Sequence, residues 1–279
     1  MSKCAVVLRT LNEAAGLRVL LPVLAAQEPE PPRVIAVDSG STDRTLAILA
    51  AAGVETVRLA PEEFSYGRAL NLGLKRVREP FAALLSAHAV PRSRYWLADL
   101  LAPMRADPSI AAVGGACNGQ IPHLPKQRRD VMLTSPEQYL ADPVVGLVNA
   151  NAAVRMSVWR EHRFDEAMIA CEDKEWTLRV LRAGYTVCLS TGGDAWHEHE
   201  GDSPRDLYRR GYREHYAMYG CFPRQSFLWF GVEVFGRPAA WFGRGAARWV
   251  GYAAWRLGQW RGYAAARREH RREARRADD

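Results

Sequence analysis

A chain of 279 residues and 31.2 kDa has room for one large α/β domain, or one domain with an appendage, and can bury a core without disulfides or a structural metal. With 48% hydrophobic and 25% charged residues it is not a disordered chain. Its net charge of +7 is uneven: Arg205 to Asp279 holds 16 Arg against 7 Asp and Glu, which leaves the rest slightly acidic and excludes a uniformly basic nucleic-acid binder.

The first hundred residues alternate between two hydrophobic periods. Strands are predicted at Ala5–Leu8, Val34–Val37, Val54–Leu59 and Phe81–Leu85, and helices at Asn12–Ala26, Ser41–Ala52 and Tyr66–Val77. Asn12, Thr42 and Asp43 supply capping oxygens, and Gly53 ends the second helix. This alternation predicts a parallel sheet covered by helices, whose ligands sit at the carboxyl ends of the strands. Those ends are the polar segments Arg9–Asn12, Asp38–Ser41 and Ser86–His88. Further along, a helix is predicted at Trp96–Ala106 and a strand at Ile110–Gly115. Residues 117–147, with four prolines, are expected to be an irregular lid or acceptor-side loop. A strand at Asn149–Arg155, a helix at Asp173–Ala183, a strand at Thr186–Ser190 and a helix at Pro204–Tyr219 complete the pattern.

Five cysteines are scattered with no CxxC pair, which excludes a disulfide framework and a zinc site and fits a reducing compartment. Met1–Cys4 runs directly into a strand-like segment, and no apolar run reaches the ~18 residues of a membrane span. The expectation is a cytoplasmic protein without a signal peptide.

Four constellations could carry chemistry. Asp38-Ser39-Gly40-Ser41-Thr42-Asp43 places a carboxylate at a strand end before a glycine turn, suited to a base or ribose, or simply a helix cap. It lacks the GxGxxG of nicotinamide enzymes. Glu172-Asp173 opens a helix, where mutual repulsion splits two carboxylates into different roles; the plain alternative is acidic residues favoured by the helix dipole. Trp196-His197-Glu198-His199 puts two imidazoles on one side of an extended segment, fit for a metal or a phosphate, or for structural hydrogen bonds. Ser86-Ala87-His88 ends the fourth strand, where His88 is either a site residue near Asp38 or a hydrogen-bonded loop histidine.

In this order the segments resemble glycosyltransferase family 2, the inverting nucleotide-sugar transferases of GT-A fold. The similarity runs from Cys4 to about Tyr219, through Leu8-Arg9-Thr10-Leu11-Asn12-Glu13, Val37–Asp43, Phe64-Ser65-Tyr66-Gly67-Arg68-Ala69-Leu70-Asn71, Glu172-Asp173 with Trp176, and His197. The Phe64–Asn71 stretch looks most like the rhamnosyltransferase-type branch, which implies a dTDP-sugar, with UDP-sugar as the other donor considered. The resemblance implies a Rossmann-type mixed sheet with helices on both faces. It places Thr10, Asn12, Glu13, Asp38, Ser39, Arg68 and Ser86 around the nucleotide, with Asp173 as the base that deprotonates the acceptor. Glu172, Trp176 and Asn151 would contact the acceptor or sugar, and His88 with His197 (His199 less so) would hold a divalent cation, Mn²⁺ or Mg²⁺. One departure stands out: the family's Asp-x-Asp slot reads Ser86-Ala87-His88, without a carboxylate. An imidazole there favours Mn²⁺ over Mg²⁺, or binds the diphosphate directly. The other reading of this departure is a non-catalytic sugar-nucleotide or glycan-binding relative. A nucleotidyltransferase would carry a Gly-rich triphosphate loop, which Leu8–Gly16 lacks.

Two domains are expected: residues 1–220, and a basic, Trp-rich helical tail at 221–279. The tail holds Trp229, Trp241, Trp249, Trp255 and Trp260 interleaved with arginines. On a helix from Ala246, residues Trp249, Val250, Ala253, Leu257 and Trp260 share one face, on short segments broken by glycine. Such a face suits the surface of an anionic inner membrane, or packing on the body or in a homodimer; residues 267–279 are expected to fray. No RNA-binding motif accompanies the tryptophans, so nucleic acid is not an expected partner. The expected partners are a nucleoside-diphosphate sugar and a glycan or lipid-linked acceptor.

Overall fold

The alternation of strand and helix carries through to a mixed eight-stranded sheet in a computed structural model, which describes residues 3–119, 129–141, 146–197, 203–221 and 246–278. The first half consists of β1 (Cys4–Thr10), α1 (Ala14–Ala25), β2 (Arg33–Asp38), α2 (Thr45–Ala51), β3 (Glu55–Arg58), α3 (Tyr66–Leu74) and β4 (Phe81–Ser86). Then come β5 (Ala89–Pro91), α4 (Trp96–Ala106), β6 (Ile110–Gly114), β7 (Val131–Leu133), α5 (Pro136–Ala141), β8 (Asn151–Arg155) and α6 (Met156–Glu161). The chain closes with α7 (Glu172–Arg182), β9 (Thr186–Leu189), β10 (Ala195–His197), α8 (Pro204–Cys221) and α9 (Ala246–Asp278).

The strand order is β3-β2-β1-β4-β8-β6-β9-β7. Strands β1 to β4 are parallel, as the alternation predicts, with Arg9 opposite Val37 on one side and Ser86 on the other. The sheet turns mixed beyond β4, because β8 runs antiparallel to both β4 and β6, and β7 antiparallel to β9. Strands β1 and β4 are buried on both faces and read as continuous apolar runs, Cys4-Ala5-Val6-Val7-Leu8 and Phe81-Ala82-Ala83-Leu84-Leu85. Leu17, Leu20 and Leu24 of α1, with Trp96, Leu100 and Met104 of α4, cover one face. Val37, Leu59 and Ala69 form a smaller core elsewhere.

Two compact units emerge: residues 1–167 with 172–198, and residues 168–171 with 199–279. In the second unit α8 packs along α9, in the same direction. Gly211 of α8 meets the Trp255 carbonyl, while Gly258 and Gly262 of α9 meet the Tyr208 and Tyr212 carbonyls. A methyl group at these positions would collide with backbone, so the glycines that predict a broken helix instead permit close packing and one helix of 33 residues. That helix also includes Arg267–Asp278, which was expected to fray. Val250, Leu257 and Trp260 remain 47%, 47% and 37% exposed, on the face away from α8. Helix α8, assigned by the sequence division to the first domain, belongs to this unit.

The stretch expected to be irregular holds β7 and α5 among its described residues. Short elements lack the two or three periods that a sequence pattern needs, and the same holds for α6, β5 and β10.

Candidate active site at the carboxyl ends of β1, β2 and β4

The β1 and β2 ends are joined by a hydrogen-bonded double loop. Asp38, 2% exposed, accepts from the Thr10 hydroxyl at 3.0 Å, the Ser41 hydroxyl at 2.5 Å, and the Gly40 and Ser41 amides at 3.1 and 2.9 Å. The Ser39 hydroxyl donates to the Thr10 carbonyl at 3.2 Å. Asn12 sits in the left-handed region (φ 57°), and its Oδ1 accepts from the Thr42 and Asp43 amides at 2.8 and 3.3 Å. The Asn12 amide donates to the Ser41 hydroxyl at 2.8 Å. Helix α2 therefore starts at Thr45 rather than Ser41, because residues 41–44 serve the loop. A side chain at Gly40 (φ 99°) would run into the Pro61 ring.

A second cluster joins three residues far apart in sequence. Antiparallel pairing of β5 with β10 sets His197 opposite Ala89, and so beside His88. Asn118 clasps the His197 backbone at both its carbonyl (2.7 Å) and its amide (3.1 Å). The two Nε2 atoms lie 3.2 Å apart, with ring planes 15° from parallel. Behind them the Glu13 carboxylate lies 2.9 Å from His88 Nδ1. A carboxylate there holds the proton on Nδ1 and turns the Nε2 lone pair toward His197. Two nitrogens at this separation suit a shared N–H···N hydrogen bond, and equally one cation with Mn–N or Zn–N bonds of about 2.1 Å. Among the described residues no three His, Cys, Asp or Glu side chains converge as a metal cluster. His199 lies outside the described residues.

The third cluster is the carboxylate pair. Cys171, in the left-handed region (φ 61°), turns the chain into α7. Glu172 is 4% exposed; its Oε1 accepts from Asn149 Nδ2 at 3.1 Å and faces Arg9 Nη1 at 3.6 Å. Asp173, half-buried, accepts from the Asn149 amide at 3.3 Å. Burial, and then the Asp173 charge, push the Glu172 carboxyl above the usual carboxylate range, against the pull of Arg9. The Ser86 amide donates to the Ala150 carbonyl, which sets the 149–150 turn against the end of β4 and next to Arg9. Arg9 stacks over the Tyr66 ring at 4.9 Å.

The structure thus brings Thr10, Asn12, Asp38 and Ser39 into one loop, Glu13, His88 and His197 into a second group, and Glu172 and Asp173 into a third, with Ser86 beside the last. Two expectations need correction. Trp176 is fully buried against Phe164, with its indole N–H on the His162 carbonyl, so it presents no face to a sugar. The Asn151 amide is spent on the Trp96 indole and the Ala116 and Gly193 carbonyls, which makes it a core fastener. Arg68 stands apart from these two: its side chain is exposed on α3, where it pairs with Glu63 at 2.8 Å. Sequence reasoning placed Arg9 in a ligand-facing segment but gave it no role, and it missed Asn149 as a site residue. The available signal was their position: a cation at the end of a buried strand, and an amide in the polar run Asn149-Ala150-Asn151.

Comparison with known proteins bears on the family and the fold. The family model for glycosyl transferase family 2 matches residues 5–163. The O-antigen chain rhamnosyltransferase WbaN of Salmonella anatum is 27% identical over 218 residues, covering 71% of this chain and 65% of that protein's length. RfbN of Salmonella typhimurium, another O-antigen chain rhamnosyltransferase, is 25% identical over 244 residues, covering 79% and 74%. Among solved structures, the mannosyltransferase PcManGT of Pyrobaculum calidifontis, in complex with GDP-Man and Mn²⁺, superposes at TM-score 0.60 with 18% identity, covering 95% of this chain and 73% of that one. TarS of S. aureus, in complex with UDP-GlcNAc, gives 0.58 with 17% identity, covering 78% and 67%. These neighbours share the GT-A fold with the mixed sheet described above. With more than half of its length matched by the family model, the chain belongs to glycosyl transferase family 2.

Proposed function

We propose that this chain is an inverting glycosyltransferase that moves a sugar from a dTDP- or UDP-sugar to a hydroxyl of a glycan or lipid-linked acceptor. The observation that carries the reading is the Glu172–Asp173 pair at the carboxyl end of the sheet, one carboxylate buried and one half-buried, both held by Asn149. A buried carboxylate beside another costs stability; one of the pair serves sugar binding, and the second supplies the proton acceptor that transfer needs and mere binding does not. Asp173 takes the acceptor proton as the acceptor oxygen bonds to the anomeric carbon and the bond from that carbon to the diphosphate breaks. Glu172 accepts hydrogen bonds from sugar hydroxyls. The double loop of Thr10, Asn12, Asp38 and Ser39 shapes the nucleotide pocket.

His88 and His197 would hold a divalent cation, preferably Mn²⁺, with Glu13 fixing the His88 tautomer. Such a cation supplies positive charge to the departing diphosphate. The rhamnosyltransferase relatives favour a deoxysugar donor and a polysaccharide product. Among the described residues no helix is long and apolar enough to cross a membrane. The exposed Val250, Leu257 and Trp260 with the arginines of α9 support a cytoplasmic chain resting on an anionic membrane surface, and sedimentation with anionic but not neutral vesicles tests that placement.

The central test is turnover after a thermal-shift screen of UDP, dTDP and GDP with and without Mn²⁺. Wild type should release nucleoside diphosphate, and Asp173→Asn should lose about 10²–10⁴-fold of that rate. Equal release by both defeats the assignment. Unchanged manganese affinity in His88→Ala would leave direct diphosphate binding as the role of the histidines.

A further inference from the structure

Glu172 faces an electrostatic problem that its own helix does not solve. It is almost wholly removed from water, its sequence neighbour is another carboxylate, and its hydrogen-bond donor is the neutral amide of Asn149. Among the described residues the charges acting on it are Asp173, from its own helix, and Arg9, from the end of β1. Arg9 is itself unusual: its Nη1 is buried and makes no hydrogen bond among the described residues, and at 3.6 Å it is too far from Glu172 Oε1 to form one. A buried guanidinium nitrogen without an acceptor costs free energy. Stacking on Tyr66 holds the group in place despite that cost.

We propose that Arg9 is a positioning residue that keeps Glu172 ionised beside Asp173. The proposal rests on the reading of Glu172 and Asp173 as the sugar-transfer carboxylates and deepens it. A neutral Glu172 would present a hydroxyl to the sugar and could hold the proton that Asp173 is meant to collect. With Arg9 opposite, Glu172 stays an acceptor of sugar hydroxyls, and the acceptor's proton has one destination. The separation of 3.6 Å leaves both groups free to bend toward a bound sugar, which a tight bidentate pair would not allow.

The test is a double-mutant cycle read against pH. Thermal melts of wild type, Arg9→Met, Glu172→Gln and the double variant, from pH 5 to 9, need neither donor nor acceptor. We expect the deficit of Arg9→Met to grow with pH in the Glu172 background and to stay flat with pH in the Glu172→Gln background. A role limited to stacking on Tyr66 predicts the same deficit in both backgrounds at every pH, and that result overturns the proposal. Where turnover is measurable with dTDP-rhamnose, the acid limb of kcat/KM should move up by about one pH unit or more in Arg9→Met. Arg9→Lys should restore most of its position. An unmoved acid limb in Arg9→Met also overturns the proposal. Absence of turnover in wild type would count against sugar transfer, leaving the melts to decide Arg9 independently.

Discussion

Asp38 and Glu172 are two buried carboxylates at the same end of one sheet, and their surroundings could hardly differ more. Asp38 receives four hydrogen bonds, two from hydroxyls and two from backbone amides, all within its own double loop. Glu172 receives one from the Asn149 side chain besides its own backbone amide, has a second carboxylate beside it, and meets its cation only at 3.6 Å. The first arrangement is satisfied and holds a loop in shape; the second is under-compensated and keeps capacity for a ligand. Burial by itself therefore says little about function. What distinguishes a working carboxylate is how much of its hydrogen-bonding capacity the fold leaves unspent.

That contrast can be broken experimentally, and the largest effect should come at Asp38. Asp38→Ala leaves the Gly40 and Ser41 amides without their acceptor and should cost about 3 kcal/mol or more of folding stability, measured by denaturant unfolding. A loss near zero would mean that the loop is held by other contacts. Glu172→Gln should act in the opposite direction. Because the folded-state proton affinity of Glu172 is raised, the stability tied to its neutral form is present below the ordinary value of 4.5 and is lost as pH rises through the raised folded value. Glutamine is neutral at every pH, so Glu172→Gln should melt about 2–4 °C higher than wild type near pH 8 and equally near pH 4.5, while losing transfer activity. Equal melting at both pH values would show that Glu172 is compensated as fully as Asp38. The smallest effect is expected from Ser41→Ala, which removes one hydroxyl donor to Asp38 and the acceptor of the Asn12 amide. It should cost about 0.5–1 kcal/mol and spare the melting difference seen at Glu172.

Much of this architecture was legible because the parallel half of the sheet is built from long, periodic segments. β1, β4, α1, α4 and α7 carry enough residues for their period to register, and their boundaries moved by only a few positions. The short strands β5 and β10 were invisible, yet their pairing is what sets His197 beside His88. The site was legible by residue type more than by role. Asp38, Asn12, His88 and the Glu172–Asp173 pair stand out as polar groups at strand and helix ends. Asn151 and Trp176 carried the same signal and turned out to be core, because a buried amide or indole that fastens loops looks the same in sequence as one that waits for a sugar.

The amino-acid sequence by itself determined the order of elements, the family, and the separation of a slightly acidic body from an arginine-rich end, since local periodicity, motif spacing and charge are properties of the chain alone. Only the tertiary structure decided which polar groups are already satisfied. It joined Glu13 to His88 across 75 positions, set Arg9 against Glu172, and turned the glycines of α9 from breaks into contacts. The physical reason is the same in each case: a hydrogen bond or ion pair between distant residues depends on distances of a few tenths of an ångström, and those are fixed by packing and strand register.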